Sequence, residues 1–400
     1  MSALSQRLQA IDALRGLVIL IMMVDHVRET FYLHHQVPDP MRIEETEASL
    51  FFSRILAHLC APVFVVLTGL SAYLYQAKHN SLSMTREFLL KRGLFLVILE
   101  LLVINFAWTG QFPPHVIYLQ VIWAIGISMI VLALLIGLPQ RILWLIAVLI
   151  IFGHNLLDQV SLQQMPILQP IWLILHERGW IEWGEFLKLR TSYPVLPWIG
   201  VILLGYSIGA TIFQAQMTLQ RRTTYLWVFG CSSIVGFVIL RMLNVYGDSA
   251  WLEMSTPLQT FMSFFNLTKY PPSLLFILWN VGLGLLLLVA LEKVQQQAWA
   301  RPLIIYGSVP MFFYIVHLFV LKLMYVVAVA LWGQNHGDYF GVNQVSTLWW
   351  IAIILCIVLY PLMRWFSKFK HQNKQIPLLK YLYFLKIHKK PITDEGFFIL

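Results

Sequence analysis

The sequence predicts an all-α, polytopic membrane bundle of about ten transmembrane helices, with the N-terminus and C-terminus both cytoplasmic. Three observations predict it. Apolar runs long enough to cross a bilayer recur along the chain. Of its 400 residues, 59% are hydrophobic and only 12% are charged, about half the charged share of a soluble domain. Lysines and arginines gather in alternate connections, as the bias of cytoplasmic loops requires. A soluble fold this apolar would have to expose large apolar patches, which soluble monomers rarely do. The net charge of +9 does not point to nucleic acid, because the basic residues sit in short clusters between apolar runs.

A spanning helix needs about 20 mostly apolar residues. Suitable runs fall at 13–33, 51–76, 92–109, 116–137, 141–157, 193–214, 223–244, 271–292, 304–332 and 346–365. The first begins in MSALSQRLQAIDALRG and runs into Asp25, His26 and Arg28 without a small-residue cleavage site, so a retained helix is expected. The second carries Pro62, which should kink it. KHNSLSMTREF separates the second from the third. A Gly110-Gln111-Phe112-Pro113-Pro114 break ends the third, and Leu138-Pro139-Gln140 ends the fourth. The fifth is short, and residues 167–175 read as a partial or interfacial helix. Tyr193-Pro194-Val195-Leu196-Pro197-Trp198 opens the sixth and Lys269-Tyr270-Pro271-Pro272-Ser273 the eighth, with prolines where helix starts tolerate them.

Orientation follows from charge. The inner segments carry Arg7, Lys78, Arg86, Lys91, Arg92, Arg141, Arg221, Arg222, Lys293 and Arg301. The tail adds Arg364, Lys368, Lys370, Lys374, Lys380, Lys386, Lys389 and Lys390. The outer segments are balanced or acidic, with Glu44, Glu45, Glu47, Glu177, Glu182, Glu185, Asp248, Glu253 and Asp338. Ten spans with both termini inside fit this pattern. The domain reading is a transmembrane unit over 1–366 and a basic cytoplasmic tail over 367–400, the tail suited to anionic membrane lipid. Cys60, Cys231 and Cys356 lie in apolar runs with no metal or disulfide spacing.

Ionisable residues inside spans are costly and are functional candidates. In the first helix, Asp12 and Arg15 lie at the inner end, and Asp25, His26 and Arg28 near the outer end. Arg15 and His26 are three turns apart, on nearly one face and roughly 16 Å along the axis. That face suits an elongated anionic donor, with Arg15 on a phosphate and His26 as general base at the reactive end. Gly16 would admit a ligand or a neighbouring helix. The structural alternative pairs Arg15 with Asp12 as an interfacial cap and makes His26 a packing residue. Arg54 and His58 share a face of the second helix and read as an acceptor-binding wall, or as a snorkelling cation and an interhelical hydrogen bond. Glu100, Asn105, Gln120, Arg241, His317 and Lys322 are further polar residues inside spans. Together they predict a polar cavity opening outward, with Glu100 and His317 as substrate-binding candidates and Lys269 facing the acceptor from its loop. Arg42, His34 and His35 lie just beyond the first helix, without metal-ligand spacing. No phosphate-cradling glycine loop, Gly-x-Ser-x-Gly elbow, zinc motif or arginine ladder is present.

The segments IDALRGLVILIMMVDHVRETF and FFSRILAHLCAPVFVVLTGLSAYLY resemble bacterial membrane proteins grouped with heparan-alpha-glucosaminide N-acetyltransferase. So do RGLFLVILELLVINFAW, YLQVIWAIGISMIVLALL, YPVLPWIG, TKYPPSLLFILWNVG and GSVPMFFYIVHLF. The resemblance covers most of the chain from Ile11 to about Trp332 and is a string of moderately specific motifs. It implies an inner-membrane acyltransferase that takes acyl-CoA, with acetyl-CoA as co-substrate, from the cytoplasm. The acceptor, often a sugar, would be modified at the far side. By that likeness Arg15, beside Asp12, contacts the donor and His26 is catalytic. The lysosomal enzymes of the group resemble a different arrangement, with Asn where His26 stands and the active histidine in the following loop. That leaves His26 and the His34/His35 pair both open.

The reading is therefore an acyltransferase in which His26 takes a proton from an acceptor hydroxyl or amine, oriented by Asp25 or Arg54. A proton-coupled transporter or lipid-linked flippase, with Glu100, His58 and His317 as a proton relay, is the alternative. The expected partners are membrane lipid, the acyl-CoA donor and a glycan or other small acceptor. No metal and no nucleic acid are called for, and homodimer formation stays open.

Overall fold

The computed structural model describes residues 3–184, 187–373 and 375–376. Glu185, Lys374 and the tail cations Lys380, Lys386, Lys389 and Lys390 lie outside them, as does most of the 367–400 tail.

The chain runs back and forth between two ends, called here near (where the chain begins) and far. α1 (Ala3–Phe31) runs from near to far. α2 (Ala48–His58) and α3 (Cys60–His79) return. α4 (Leu82–Leu99), a π turn (Glu100–Ile104) and α5 (Asn105–Thr109) go out again. Strand β1 (Val116–Leu119) leads into α6 (Val121–Leu135), and α7 (Gln140–Gly153) follows. The far-end excursion holds α8 (Gln169–Leu175), β2 (Gly179–Trp183) and β3 (Leu187–Thr191). α9 (Leu196–Ile212), α10 (Leu219–Leu243), α11 (Pro257–Phe265) and α12 (Leu274–Val294) come next. α13 (Ala300–Ser308), α14 (Pro310–Trp332) and α15 (Val345–Gln372) complete the bundle. Contacts between connections mark the far end: Asp39 with Lys269, His154 with Pro272, and His34 against Gly341.

Each predicted apolar run lies largely on helix. Six helical stretches among the described residues are long and apolar enough to cross a membrane: Ala48–His79, Gln140–Leu157, Leu219–Leu243, Leu274–Val294, Pro310–Trp332 and Val345–Gln372. Val121–Leu135 and Leu196–Ile212 are apolar but shorter. α1 and α4 fall outside this set, and both are rich in charge: Asp12, Arg15, Asp25, Arg28 and Glu29 on α1, and Arg86, Glu87, Lys91 and Arg92 on α4.

One expected break and two corrections have local causes. The run at 51–76 is split at Leu59, three residues before Pro62, whose ring has no N–H for the helix ladder. The run at 304–332 is two helices, broken at Val309 and restarted by Pro310 at the first turn of α14. The fold is also not purely helical. β1, β3 and β2 form a small sheet at the far end, β1 parallel to β3 (Val116 beside Lys188) and β2 antiparallel to it (Gly179 beside Thr191). The sequence places β1 at the start of a span, because VIYL is apolar enough to merge with the helix after it.

α1 is central and packs against α12, α13, α14 and α15 as well as α2 and α3. One hydrophobic core gathers α1 with α3, α4, α6, α9 and α12, and a second gathers it with α14 and α15. Backbones approach closely at glycines. A Cβ on Gly16 would lie 1.9 Å from the Leu303 carbonyl oxygen, and one on Gly307 1.7 Å from that of Asp12. Gly16 thus admits a neighbouring helix. Large apolar side chains on α7, α10, α14 and α15 face outward, among them Leu149, Met242, Leu331 and Ile357, where bilayer hydrocarbon would cover them.

Candidate active site

A cavity of about 330 Å³ opens among the helices next to α1. Along α1 its wall runs from Glu29 down to Ile19, about 15 Å of helix rise. α2 and α3 supply Arg54, Cys60, Phe64 and Thr68. Arg92 and Leu96 of α4 and Pro310 at the start of α14 close the near side. At the far mouth stand Asp39, Arg178, Arg190, Tyr193, Lys269 and Tyr270. Six cationic side chains line the cavity against three acidic ones, so its field favours an anionic ligand.

An ion-pair network shapes the mouth. Asp25 accepts a hydrogen bond from Arg28 Nε at 2.9 Å and faces Lys269 Nζ at 3.8 Å. Arg28 also reaches Glu29 at 3.0 Å. Asp39 lies 3.9 Å from Arg54 and accepts from the backbone N–H groups of Lys269 and Tyr270 at 2.9 and 2.8 Å. One carboxylate thus ties the loop after α1 to the loop before α12. Burial raises the Asp39 carboxyl above the ordinary carboxylate range, against the pull of Arg54 and Lys269. Burial also works against the Lys269 ammonium, but Tyr270 and Asp25 outweigh it and hold its pKa above the ordinary lysine value. Arg178 lies 5.1 Å over the Tyr270 ring and Arg190 4.9 Å over Trp180. Tyr193 and Tyr270 meet hydroxyl to hydroxyl at 3.2 Å.

His26 lies on the cavity wall, half-buried, with Trp108 and Tyr314 set edge-on to its ring. Its Nδ1 lies 2.6 Å from Nε2 of His317. The hydrogen-bond partner of His26 is therefore His317, and not Asp25 or Arg54. The Asp25 oxygens are engaged by Arg28 and Lys269, and adjacent helix positions point apart.

The other predicted residues divide. Arg54, Lys269, Asp25 and Gln120 line the cavity. Arg15 does not. It pairs with Asp12 at 2.9 Å and donates to Ser71 Oγ at 2.5 Å and the Leu67 carbonyl at 3.5 Å. Arg92 holds the cavity floor close by, where the Arg15 charge reaches it. His58 is buried off the wall beside Phe276. The Glu100 carboxylate accepts from the N–H groups of Ile122 and Trp123, both at 3.1 Å, and so caps α6. Asn105 bonds the Glu100 carbonyl and both backbone groups of Tyr118. Arg241 holds carbonyls of the 249–266 connection. Lys322 donates to the last carbonyls of α5, those of Trp108 and Thr109. His34 and His35 lie beyond the cavity wall, with His34 stacked on His336 at 3.7 Å and 4.6 Å from His35. Among the described residues no group of three or more His, Cys, Asp or Glu side chains is arranged to hold a metal.

A family model, heparan-alpha-glucosaminide N-acetyltransferase, catalytic, matches residues 7–241, more than half of the chain. The chain belongs to that family. It is an acetyltransferase by family, and its apolar helices make it a membrane protein. A comparison with curated proteins finds no match. The matched catalytic segment supplies α1, the Arg92 floor and the Arg178–Tyr193 side of the mouth. Lys269, Tyr270, Tyr314 and His317 come from beyond it.

Sequence reasoning passed over Arg92, Arg178, Arg190, Asp39, Tyr193 and Tyr270 as site residues. Arg92 counts there only as an inner charge, and Arg178 and Arg190 do not enter it. Both tyrosines stand directly before a proline, in Tyr193-Pro194 and Tyr270-Pro271, and that shared dipeptide was the available signal.

Proposed function

We propose that this protein is an integral membrane acetyltransferase that moves an acetyl group from acetyl-CoA to a sugar amine or hydroxyl, and that the described cavity is where it does so. The observation that supports this most is His26. It stands on a cavity wall between an arginine floor at the near end and a basic, tyrosine-lined mouth at the far end.

Acetyl-CoA supplies the activated thioester. Arg92 suits its phosphates, with Arg15, held by Asp12 and Ser71, adding positive field behind the floor. His26 takes the proton from the acceptor oxygen or nitrogen as that atom bonds the acetyl carbon. The carbon–sulfur bond breaks, and the proton passes to the departing thiolate. Arg54, Lys269, Arg178 and Arg190 orient the acceptor, with Asp25 and Asp39 fixing the cations among them. In this reading the near end is cytoplasmic, because the helix starts there carry Arg86, Lys91, Arg141 and Arg221. The acceptor is then modified at the outer face of an inner membrane.

Thermal unfolding of the purified protein tests the donor site. A ligand that binds only the folded state stabilises it by about 2.7 kcal/mol at a hundredfold excess over its dissociation constant. Acetyl-CoA and CoA, but not ATP, are expected to raise the unfolding temperature, with most of the rise lost in Arg92→Ala. His26→Ala should keep the rise and lose acetyl transfer by roughly 100-fold or more. No shift with either CoA species, or full transfer by His26→Ala, would sink the assignment.

A further inference from the structure

The proton inventory around His26 defines more than a lone base. His317 sits on α14, fully buried, directly behind His26. Its Nδ1 lies 2.7 Å from the Phe313 carbonyl oxygen, one helical turn earlier. A carbonyl can only accept, so this nitrogen carries the hydrogen. In a neutral ring the other nitrogen, Nε2, is then an acceptor. It meets His26 Nδ1 at 2.6 Å. The ring planes differ by 11° and the centroids are 4.9 Å apart. With nitrogens that close, the rings lie edge to edge in nearly one plane, so N–H and lone pair are aligned. His26 must therefore donate from Nδ1, which leaves Nε2 unprotonated on a residue that lines the cavity.

The geometry points to His317 as a positioning residue that sets the tautomer of His26, in a chain running Phe313 carbonyl, His317, His26, acceptor. This rests on the acetyltransferase reading for its purpose but on the hydrogen bonds for its existence. It assigns a role in catalysis to a side chain beyond the segment matched to the family's catalytic model. His317 does not touch substrate, since both its ring nitrogens are engaged and it lies off the cavity wall. Its packing adds rigidity: the Phe313 ring stacks on His317 at 4.8 Å, and Tyr314 stands edge-on at 5.4 Å.

The test uses the full-length protein in nanodiscs with ring nitrogens of histidine labelled with nitrogen-15. Loss of a signal pair in His26→Gln assigns the His26 resonances. The expected result is a protonated Nδ1 and a bare Nε2 in the wild type. His317→Gln, whose side-chain oxygen can still accept from His26, should keep that pattern. His317→Phe should move both signals toward a mixture of tautomers. In acetyl-CoA turnover, His317→Phe should lower kcat roughly 10- to 100-fold, the scale seen when a support of a functional histidine is lost, with KM little changed. His317→Gln should recover most of the rate. A wild-type spectrum with the proton on Nε2, once His26→Gln has assigned it, overturns the proposal even if neither His317 variant folds. So does a His317→Phe protein with unchanged tautomer and rate. If the tautomer is as expected but His26→Ala still transfers acetyl groups, the dyad stands and the catalytic reading of the cavity fails.

Discussion

At the scale of single residues, the Arg15–His26 spacing was legible and its consequence only partly so. His26 does line the cavity, but Asp12 one turn away captures Arg15, and Arg92 from another helix takes the floor. No spacing within one helix reports a cation that arrives from a different one. The histidines after α1 separate from the site for a physical reason too. They pack on one another and on His336, outside the wall. Burial, and then the nearby His336 and His35, lowers the His34 pKa from 6.5. The unfolded chain then binds that proton better than the folded one, so stability is complete above the ordinary imidazole value and falls as pH drops through the lowered one. Thermal unfolding from about pH 7.5 to about pH 5.5 should show a falling midpoint, and His34→Gln should flatten the acid side of that curve. An unchanged slope in His34→Gln would mean that the loop cluster does not sense protons.

At the scale of elements, hydropathy located the helices because burial in lipid or protein demands apolar side chains along their length. It did not reveal the π turn at Glu100–Ile104 or the small sheet. The π turn has its cause in hydrogen bonds made far along the chain. Glu100 turns aside to cap α6, and Asn105 closes the widened turn onto the Glu100 carbonyl. β1, which Asn105 pins through Tyr118, brings β3 and hence Arg190 to the mouth. One buried carboxylate therefore organises part of the site without lining it. Glu100→Ala should lower stability by about 1–3 kcal/mol for the donors it leaves open. Glu100→Gln, which keeps an acceptor oxygen, should lower it less. Chemical or thermal unfolding in detergent reads both. A Glu100→Ala protein of wild-type stability but no activity would instead assign the carboxylate to substrate.

At the scale of the whole molecule, the sequence alone carried the alternation of the chain and the sign of each connection. It did not carry the convergence of the connections at one end. The far-end loops are joined by Asp39 to Lys269 and Tyr270, by His154 to the Pro272 carbonyl, and by Asp248 to Thr268 and Ser273. These contacts make the mouth one surface built from segments far apart in sequence, so Arg178 and Arg190 of one connection meet Lys269 of another. The orientation proposed above then has a sharp consequence. Single cysteines placed at exposed positions of the far end, such as Glu45 or Asn343, and of the near end, such as Ser83 or Gln220, should differ in reach. In intact cells a membrane-impermeant maleimide should label the far-end cysteines alone, and permeabilisation should open the near-end ones. The background is Cys60, Cys231 and Cys356 replaced by serine or alanine, at the loss of the hydrogen bond from Cys60 Sγ to the Val18 carbonyl. Labelling of Ser83→Cys from outside would invert the protein. The Arg92 floor would then face away from the cytoplasmic pool of CoA, and the donor would have to enter past Arg178 and Arg190. Label reaching both ends in intact cells would instead mean that the charge pattern does not set the fold of this chain in the bilayer, and the ten-span reading would fall with it.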